Sequence, residues 1–280
     1  MKRSLTRWGW LFTGPTVLAF MIGFVVPFVL GVYLSFTRFT TVTKSKWVGL
    51  ANYKGVFSDA TFLHSLWYTA AFTIVTTVLI NVIAFVVAYL LIKTFRGTNI
   101  FRSVFFMPNL IGGIVLGYIW MLLLNGILGY WARSITYSGS YGFWGMVILM
   151  CWQQVGYMMV IYIAGLQSIP TDLFESAEVD GASRRQTLFN ITIPLVMPSI
   201  TVCTFLTITN GFKLFDQNLA LTNGAPSRMS ELLALNIYNT FYGRTGFEGV
   251  GQAKAVIFLL IVAALAMLQN RLTRSKETLS

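Results

Sequence analysis

The most informative part of this sequence is Pro170-Thr-Asp-Leu-Phe-Glu175-Ser-Ala-Glu178-Val-Asp180-Gly181-Ala-Ser183-Arg-Arg-Gln186, which continues to Ile193-Pro194. It contains four carboxylates followed by two arginines, and it lies between two long apolar runs. Charged side chains are costly in hydrocarbon and rarely face lipid. The stretch therefore marks a place where an otherwise apolar chain returns to water.

The rest of the chain is strongly apolar. Hydrophobic residues make up 56% of it and charged residues only 10%, against about 25% charged residues in an ordinary soluble protein. Long segments contain no Asp, Glu, Lys or Arg; they lie between Arg7 and Arg38, Arg102 and Arg133, Arg133 and Asp172, and Arg185 and Lys213. Each exceeds the roughly 20 residues that cross a bilayer as a helix. The sequence predicts a polytopic membrane protein.

Six membrane spans are predicted, and they lie near 10–36, 67–92, 104–125, 143–166, 196–221 and 253–270. The runs lack the strict alternation of barrel strands, so the predicted fold is a single all-α polytopic membrane domain over 1–280. The last span is the weakest, because only 255–268 is free of strongly polar residues, and Lys254 is expected to snorkel outward. Pro108 and Gly112-Gly113 predict a kink in the third span.

Orientation follows from the loop cations. With both termini in the cytoplasm, more Lys and Arg fall on the inner side than on the outer side, as the positive-inside rule requires. The first span is interpreted as an uncleaved anchor because it is too long for a signal peptide. The net charge of +11 is then mainly a topology signal, and no nucleic-acid partner is expected. The expected location is a cytoplasmic membrane, crossed several times.

The polar stretch together with its flanking residues, 168–195, predicts two short helices. Asp172 followed by Glu175 fits a capping box, and Gly181 fits the position after a helix that needs positive φ. Ser183 and Gln186 fit a second capping box, for a helix expected to end before Pro194. The carboxylates on the first helix would be repelled by anionic lipid headgroups, so a protein socket is the expected partner.

This stretch resembles the Glu-Ala-Ala loop of the permease subunits of ATP-driven (ATP-binding-cassette, ABC) importers. The matching residues are Glu175, Ala177, Asp180, Gly181, Ala182, Ile193 and Pro194, while Ser176 replaces the usual second Ala. Two further strings, Val48-Gly-Leu-Ala-Asn-Tyr53 and Leu221-Thr-Asn-Gly-Ala-Pro226, resemble the carbohydrate-uptake branch, and the chain is similar to the larger permease of the maltose transporter. The resemblance implies a cytoplasmic coupling helix-turn-helix between spans four and five. Its implied ATPase-coupling residues are Glu175, Ser176, Ala177, Glu178, Asp180, Gly181 and Ala182.

A solute site is predicted on the fourth and fifth spans. Sugars present hydroxyl groups and apolar faces, which amide, carboxylate and aromatic side chains can match. The candidate residues are Gln153, Gln154, Tyr157, Thr207, Asn210, Gly211, Lys213 and Asp216. By the resemblance, Thr207, Asn210 and Gly211 fall where the maltose permease touches sugar. Lys213 and Asp216 would share one helix face, although snorkelling of the charges or plain packing between helices also explains such residues.

The chain has no Gly-x4-Gly-Lys-Ser/Thr phosphate loop and no His-Glu-x2-His pair. It is therefore not expected to be an enzyme or to hold a cofactor, and ATP with Mg²⁺ would bind to separate subunits. The resemblance implies a homologous second permease, two ATP-binding subunits, an external solute-binding protein that meets loops 37–66 and 223–250, and a carbohydrate substrate of oligosaccharide size. The alternatives are an ion-coupled transporter using Lys213 and Asp216, a membrane-embedded enzyme, and ABC import of another solute.

Overall fold

The computed structural model describes residues 11, 13–41, 43–92 and 96–277, with the side chains of 270 and 272–277 left outside the description. This part of the chain is mostly helical, with one small β-hairpin. The elements are α1 Thr13–Ser35, β1 Thr37–Thr41, β2 Lys44–Trp47, α2 Ala51–Phe57, α3 Ala60–Leu91, α4 Thr98–Phe106, a 3₁₀ turn Met107–Leu110, α5 Gly113–Gly129, α6 Gly139–Gln167, α7 Thr171–Val179, α8 Arg184–Leu195, α9 Met197–Phe212, α10 Asp216–Leu221, α11 Leu233–Gly243 and α12 Glu248–Glu277.

Four of these helices are long and apolar enough to cross a membrane unaided, and they are α1, α3, α6 and the Glu248–Gln269 part of α12. Two further spans are bent pairs. The segments Thr98–Leu110 and Gly113–Gly129 meet at 102°, and Arg184–Leu195 and Met197–Phe212 meet at 66°. If each bent pair is one span, the described residues hold up to 6 spans, which matches the number of predicted apolar runs.

The predicted kink in the third span is confirmed. Pro108 lies in the 3₁₀ turn, Ile111 is extended at φ −84° and ψ 130°, and α5 begins again at Gly113. Pro lacks the N–H that would continue the helical ladder, and this loss favours a break. The result is a sharp elbow between α4 and α5.

The fifth predicted span, 196–221, is not one continuous helix. Instead of running to 221, α9 ends at Phe212; Phe215 has φ −125° and ψ −60°, and a separate helix α10 follows. Lys213 and Asp216 therefore do not share one helix face. The reason is packing, because α10 lies against α5 where the latter has no side chain: a β-carbon at Gly117 would be 2.7 Å from that of Ala220.

The chain forms two compact units. The larger comprises Thr61–Asn236 with the described residues from Ile261 onward. Its core surrounds α6, whose fully buried side chains include Met146, Leu149, Met150, Met158, Met159 and Tyr162. Gly156 of α6 faces the backbone carbonyl of Phe105, and no β-carbon fits between them. Helices α4 and α6 thus meet at backbone distance.

The smaller unit comprises the described residues up to Ala60 with Ile237–Leu260. The two strands pair antiparallel, and Asn52 donates to the carbonyl oxygens of Ser35 and Thr37, each over 2.8 Å. Lys254 does not snorkel as predicted, because its side chain is fully buried. Its ammonium lies 2.7 Å from the Asp59 carboxylate and 2.7 Å from the Thr240 hydroxyl, which satisfy the charge inside this unit.

Candidate functional site

A tight corner closes the first helix of the polar stretch. Gly181 follows α7 with φ +73°, as predicted for this position. Its N–H donates to the carbonyl of Glu178 over 3.1 Å, and the N–H of Ala182 donates to the carbonyl of Ala177 over 2.9 Å. These two bonds form a complete Schellman motif, which satisfies carbonyls at the helix end. The corner therefore fixes the direction in which the chain enters α8.

The second capping box is confirmed and the first is wrong. Ser183 accepts from the N–H of Gln186 over 3.3 Å, while the Gln186 amide oxygen accepts from the N–H of Ser183 over 2.8 Å. At the start of α7 the cap residue is Pro170, which offers no side-chain acceptor. Asp172 instead lies in the first turn, where a carboxylate still favours the positive end of the helix dipole.

The helix after the corner is also longer than predicted. It passes Pro194 and ends at Leu195. A π-helical segment, Leu188–Thr192, comes just before the final turn. Such a segment already breaks the regular hydrogen-bond ladder, so the missing N–H of Pro194 is accommodated there.

The acidic face of α7 points away from the core. Glu175, Glu178 and Asp180 are exposed, whereas Ala177 is buried and Phe174 packs against the core of the larger unit. Val179 is 87% exposed, although it is apolar and adjoins the corner. The carboxylates and the Val179 side chain are therefore accessible at the surface of this segment. Ser176 and Gly181 are exposed on the same short segment, and Ala182 is half-buried.

A polar cavity of about 260 Å³ lies within the larger unit. It is formed by α6, the end of α9 and the start of α10. The lining residues are Met150, Gln154, Asn210, Lys213, Leu214, Phe215, Asp216 and Gln217. The structure therefore brings together four of the predicted solute residues, Gln154, Asn210, Lys213 and Asp216.

Two amide pairs join the helices around this cavity. Asn210 donates from Nδ2 to Oε1 of Gln154 over 3.1 Å. Gln217 donates from Nε2 to Oε1 of Gln153 over 2.8 Å, and Gln153 donates in turn to the carbonyl of Ile111 over 3.4 Å. Gln153 thus lies behind the cavity wall and connects it to the elbow of the third span. Amide groups both donate and accept, which is what binding of hydroxyl groups requires.

The other predicted solute residues do not line the cavity. Thr207 is buried, donates to the carbonyl of Cys203 over 2.9 Å, and accepts from Asn81 over 3.0 Å. Gly211 permits close approach of α9 to α3, since a β-carbon there would be 2.9 Å from Thr73 Oγ1. Tyr157 packs on the ring of Phe106, with centroids 6.5 Å apart. In this structure these three residues hold helices together.

Sequence reasoning missed several residues of the cavity. Gln217 is the most important, and Met150, Leu214 and Phe215 complete the lining. A signal was present in the polar run Asp216-Gln217-Asn218, which is unusual directly after an apolar stretch. Asn218 itself is buried and donates to the carbonyl of Ser230 over 2.8 Å. That bond ties α10 to the loop that follows it.

Several apolar spans, a capped helical corner with an acidic face, and a polar cavity between helices define a multi-pass membrane permease. The chain belongs to the family described as binding-protein-dependent transport system inner membrane component, whose profile matches residues 82–277. This match confirms the resemblance of the polar stretch to permease subunits of ABC importers. The chain is therefore a permease subunit of an ABC importer.

Among its relatives, the chain is 42% identical to the probable starch degradation products transport system permease protein AmyD of Thermoanaerobacterium thermosulfurigenes, over 96% of this chain and 95% of that protein. It is 30% identical to the arabinooligosaccharides transport system permease protein AraP of Bacillus subtilis, over 95% and 88% of the two chains. A subunit of a bacterial importer of the acidic polysaccharide alginate has the same fold, with a TM-score of 0.82 at 17% identity over 98% of each chain.

Proposed function

We propose that this permease carries a carbohydrate, and specifically an oligosaccharide, inward across the cytoplasmic membrane. Relatives named for starch degradation products and for arabinooligosaccharides support this substrate class. The polar cavity supports it independently, because amide groups of Gln154, Asn210 and Gln217 can exchange hydrogen bonds with sugar hydroxyl groups. Transport would proceed by alternating access, in which the cavity opens to one side at a time.

The size of the cavity supports a shared translocation pathway. Its volume of about 260 Å³ is below the usual range of small-molecule pockets, roughly 300–1,000 Å³. An oligosaccharide needs more space than this cavity provides. A homologous second permease would supply the other wall, and an external solute-binding protein would deliver the sugar.

The energy would come from two ATP-binding subunits, which hold the ATP and Mg²⁺. The observation that carries this part is the exposed acidic face of α7 next to the rigid corner at Gly181. A capped helix with outward carboxylates can transfer a movement of the ATP-binding subunits to the membrane spans without unfolding. In the proposed topology both termini and this corner lie in the cytoplasm, and the coupling residues are those from Glu175 to Ala182.

The docking role is tested by Glu175→Ala in the reconstituted importer, with Asp172→Ala as the control. Both residues are exposed carboxylates on α7, but Asp172 lies in its first turn, away from the corner. We expect Glu175→Ala to reduce sugar-stimulated ATP hydrolysis and uptake of labelled oligosaccharides, and Asp172→Ala to leave both near normal. Unchanged ATP-driven uptake in Glu175→Ala would contradict the docking role.

The substrate class is tested separately with the unaltered importer. A panel of starch-derived and arabinose-derived oligosaccharides, monosaccharides and amino acids is offered to proteoliposomes. We expect ATP-dependent uptake of at least one oligosaccharide and none of the amino acids. Uptake confined to non-sugar solutes would overturn the carbohydrate assignment while leaving the ABC mechanism intact.

A further inference from the structure

An exposed arginine lies in the connection between α5 and α6. The guanidinium of Arg133 is 5.2 Å from the ring centroid of Tyr137 and 5.7 Å from that of Tyr141, and it donates a hydrogen bond to the Tyr141 hydroxyl. This bond raises the pKa of Arg133 further, so the side chain is cationic at every physiological pH. Two tyrosine rings thus hold a permanent positive charge in place.

No carboxylate of the described residues pairs with Arg133. The sequence between Arg102 and Asp172 contains no Asp or Glu, so neither α5 nor α6 offers a counter-ion. The neighbouring aromatic residues are strongly exposed, with Tyr130 at 89% and Trp131 at 67%. Exposed Tyr and Trp at the end of a membrane helix are typical of the headgroup layer. The charge therefore lies where lipid phosphates are found.

An apolar groove of about 280 Å³ adjoins this charge. Tyr141 belongs to both features, because it accepts the hydrogen bond of Arg133 and also lines the groove. The remaining lining comes from α5, α6 and their connection, and it includes Leu124, Leu128 and Ile135. The groove faces outward, since Ile127, Trp144 and Ile148 are exposed.

We propose that this groove and Arg133 form a binding site for one anionic phospholipid, with an acyl chain along the groove and the phosphate on the guanidinium. An acyl chain that moves from the bilayer into this groove exchanges one apolar environment for another, so the charge beside the groove must supply the selectivity. Arg133 supplies that charge beside the groove. A partner helix seated in the same groove would cover the apolar surface but would leave Arg133 without an anion unless it brought a carboxylate.

The test measures lipid retained by the purified, fully assembled importer. The importer is prepared in detergent, washed, incubated with equal amounts of phosphatidylglycerol and phosphatidylethanolamine, and analysed by native mass spectrometry. Arg133→Gln removes the charge and Ile148→Trp fills the groove. Arg38→Gln is the matched control, since Arg38 is another exposed arginine next to an aromatic residue, on the β-hairpin.

We expect retained phosphatidylglycerol to fall about fivefold in Arg133→Gln, the effect of one arginine near a membrane surface. Ile148→Trp should lower both lipids, and Arg38→Gln should change neither. Equal phosphatidylglycerol retention in Arg133→Gln and the unaltered importer would overturn the proposal. A photo-crosslinker at Ile148 gives an independent readout: crosslinks to lipid support the site, whereas crosslinks to the second permease overturn it.

Discussion

The amide nitrogen of Asn210 donates to the amide oxygen of Gln154 over 3.1 Å, which joins α9 to α6 at the wall of the polar cavity. The two residues are 56 positions apart in the sequence. Both line a space that α10 also borders, so a solute that replaces this bond with its own hydroxyl groups would contact both spans at once. This pair is the most direct place to test solute binding.

Replacing Asn210 by Ala should weaken solute binding. A neutral hydrogen bond contributes about 0.5–1.5 kcal/mol, so we expect the KM of uptake to rise roughly two- to tenfold. The measurement is initial uptake of the true oligosaccharide into proteoliposomes. Gln269→Ala is the control, because it removes an amide that donates to the carbonyl of Thr201 over 3.2 Å, away from the cavity. An unchanged KM across the sugar panel would remove Asn210 from the site.

Replacing Gly181 by Ala should disturb the corner. A β-carbon in the left-handed region costs about 1–2 kcal/mol, and Gly181 has φ +73° with open space around it. Gly246→Ala is a matched control, with φ +85° and equally open surroundings. We expect similar small losses of thermal stability in both variants, but loss of co-purifying ATPase only in Gly181→Ala. Equal ATPase retention in the two would contradict a coupling role for the corner.

Replacing Gly113 by Val should displace α10 from α5. A β-carbon at this position would lie 2.7 Å from Cβ of Asp216 and 3.1 Å from the Gln217 side chain. Overpacking of this kind costs about 1–3 kcal/mol, and here it also moves two residues of the cavity lining. We expect a lower thermal midpoint and a raised KM for uptake. Gly126→Val, on the same helix in open space, should preserve both; a normal KM in Gly113→Val would show that α10 does not shape the cavity.

The ion pair between Lys254 and Asp59 should show strong coupling. Removing one partner of a fully buried pair costs about 3–5 kcal/mol, because the other charge stays uncompensated. Lys254 is fully buried whereas the Asp59 side chain is 20% exposed, so we expect Asp59→Asn to cost more than Lys254→Met. We expect Lys254→Met and Asp59→Asn each to lower the thermal midpoint, and the double variant to be no less stable than the worse single one. Lys44→Met, on an exposed strand, is the control. Additive losses in the double variant would mean that the two charges do not depend on each other.

Local features of this fold were predictable, and those that depend on distant partners were not. The apolar runs, the break at Pro108 and the positive φ of Gly181 follow from residue type and near neighbours. The burial of Lys254 depends on Asp59, which is 195 positions away. A lysine at a span end reads as a snorkelling residue until that partner is known.

The candidate solute site shows the same division. Residue type identified Gln154, Asn210, Lys213 and Asp216 as polar groups within apolar runs, and the structure places them around one cavity. The end of α9 at Phe212 was not predictable, because it depends on packing of α10 against α5. Gln217 lines the cavity because it lies on α10. The contacts of Thr207 and Gly211 with α3 likewise require knowledge of which helices are neighbours.

The packing of α10 on α5 also has a consequence for how the protein is made. When helix α5 is synthesised, its face with Gly113 and Gly117 has no packing partner. Four further helices, α6 to α9, are synthesised before α10, whose Ala220 packs against Gly117. Contacts between such distant segments form late. The third span is therefore expected to enter the bilayer before it has its final shape, and a chain that stops short of α10 would leave Gly113 and Gly117 without the helix that packs on them.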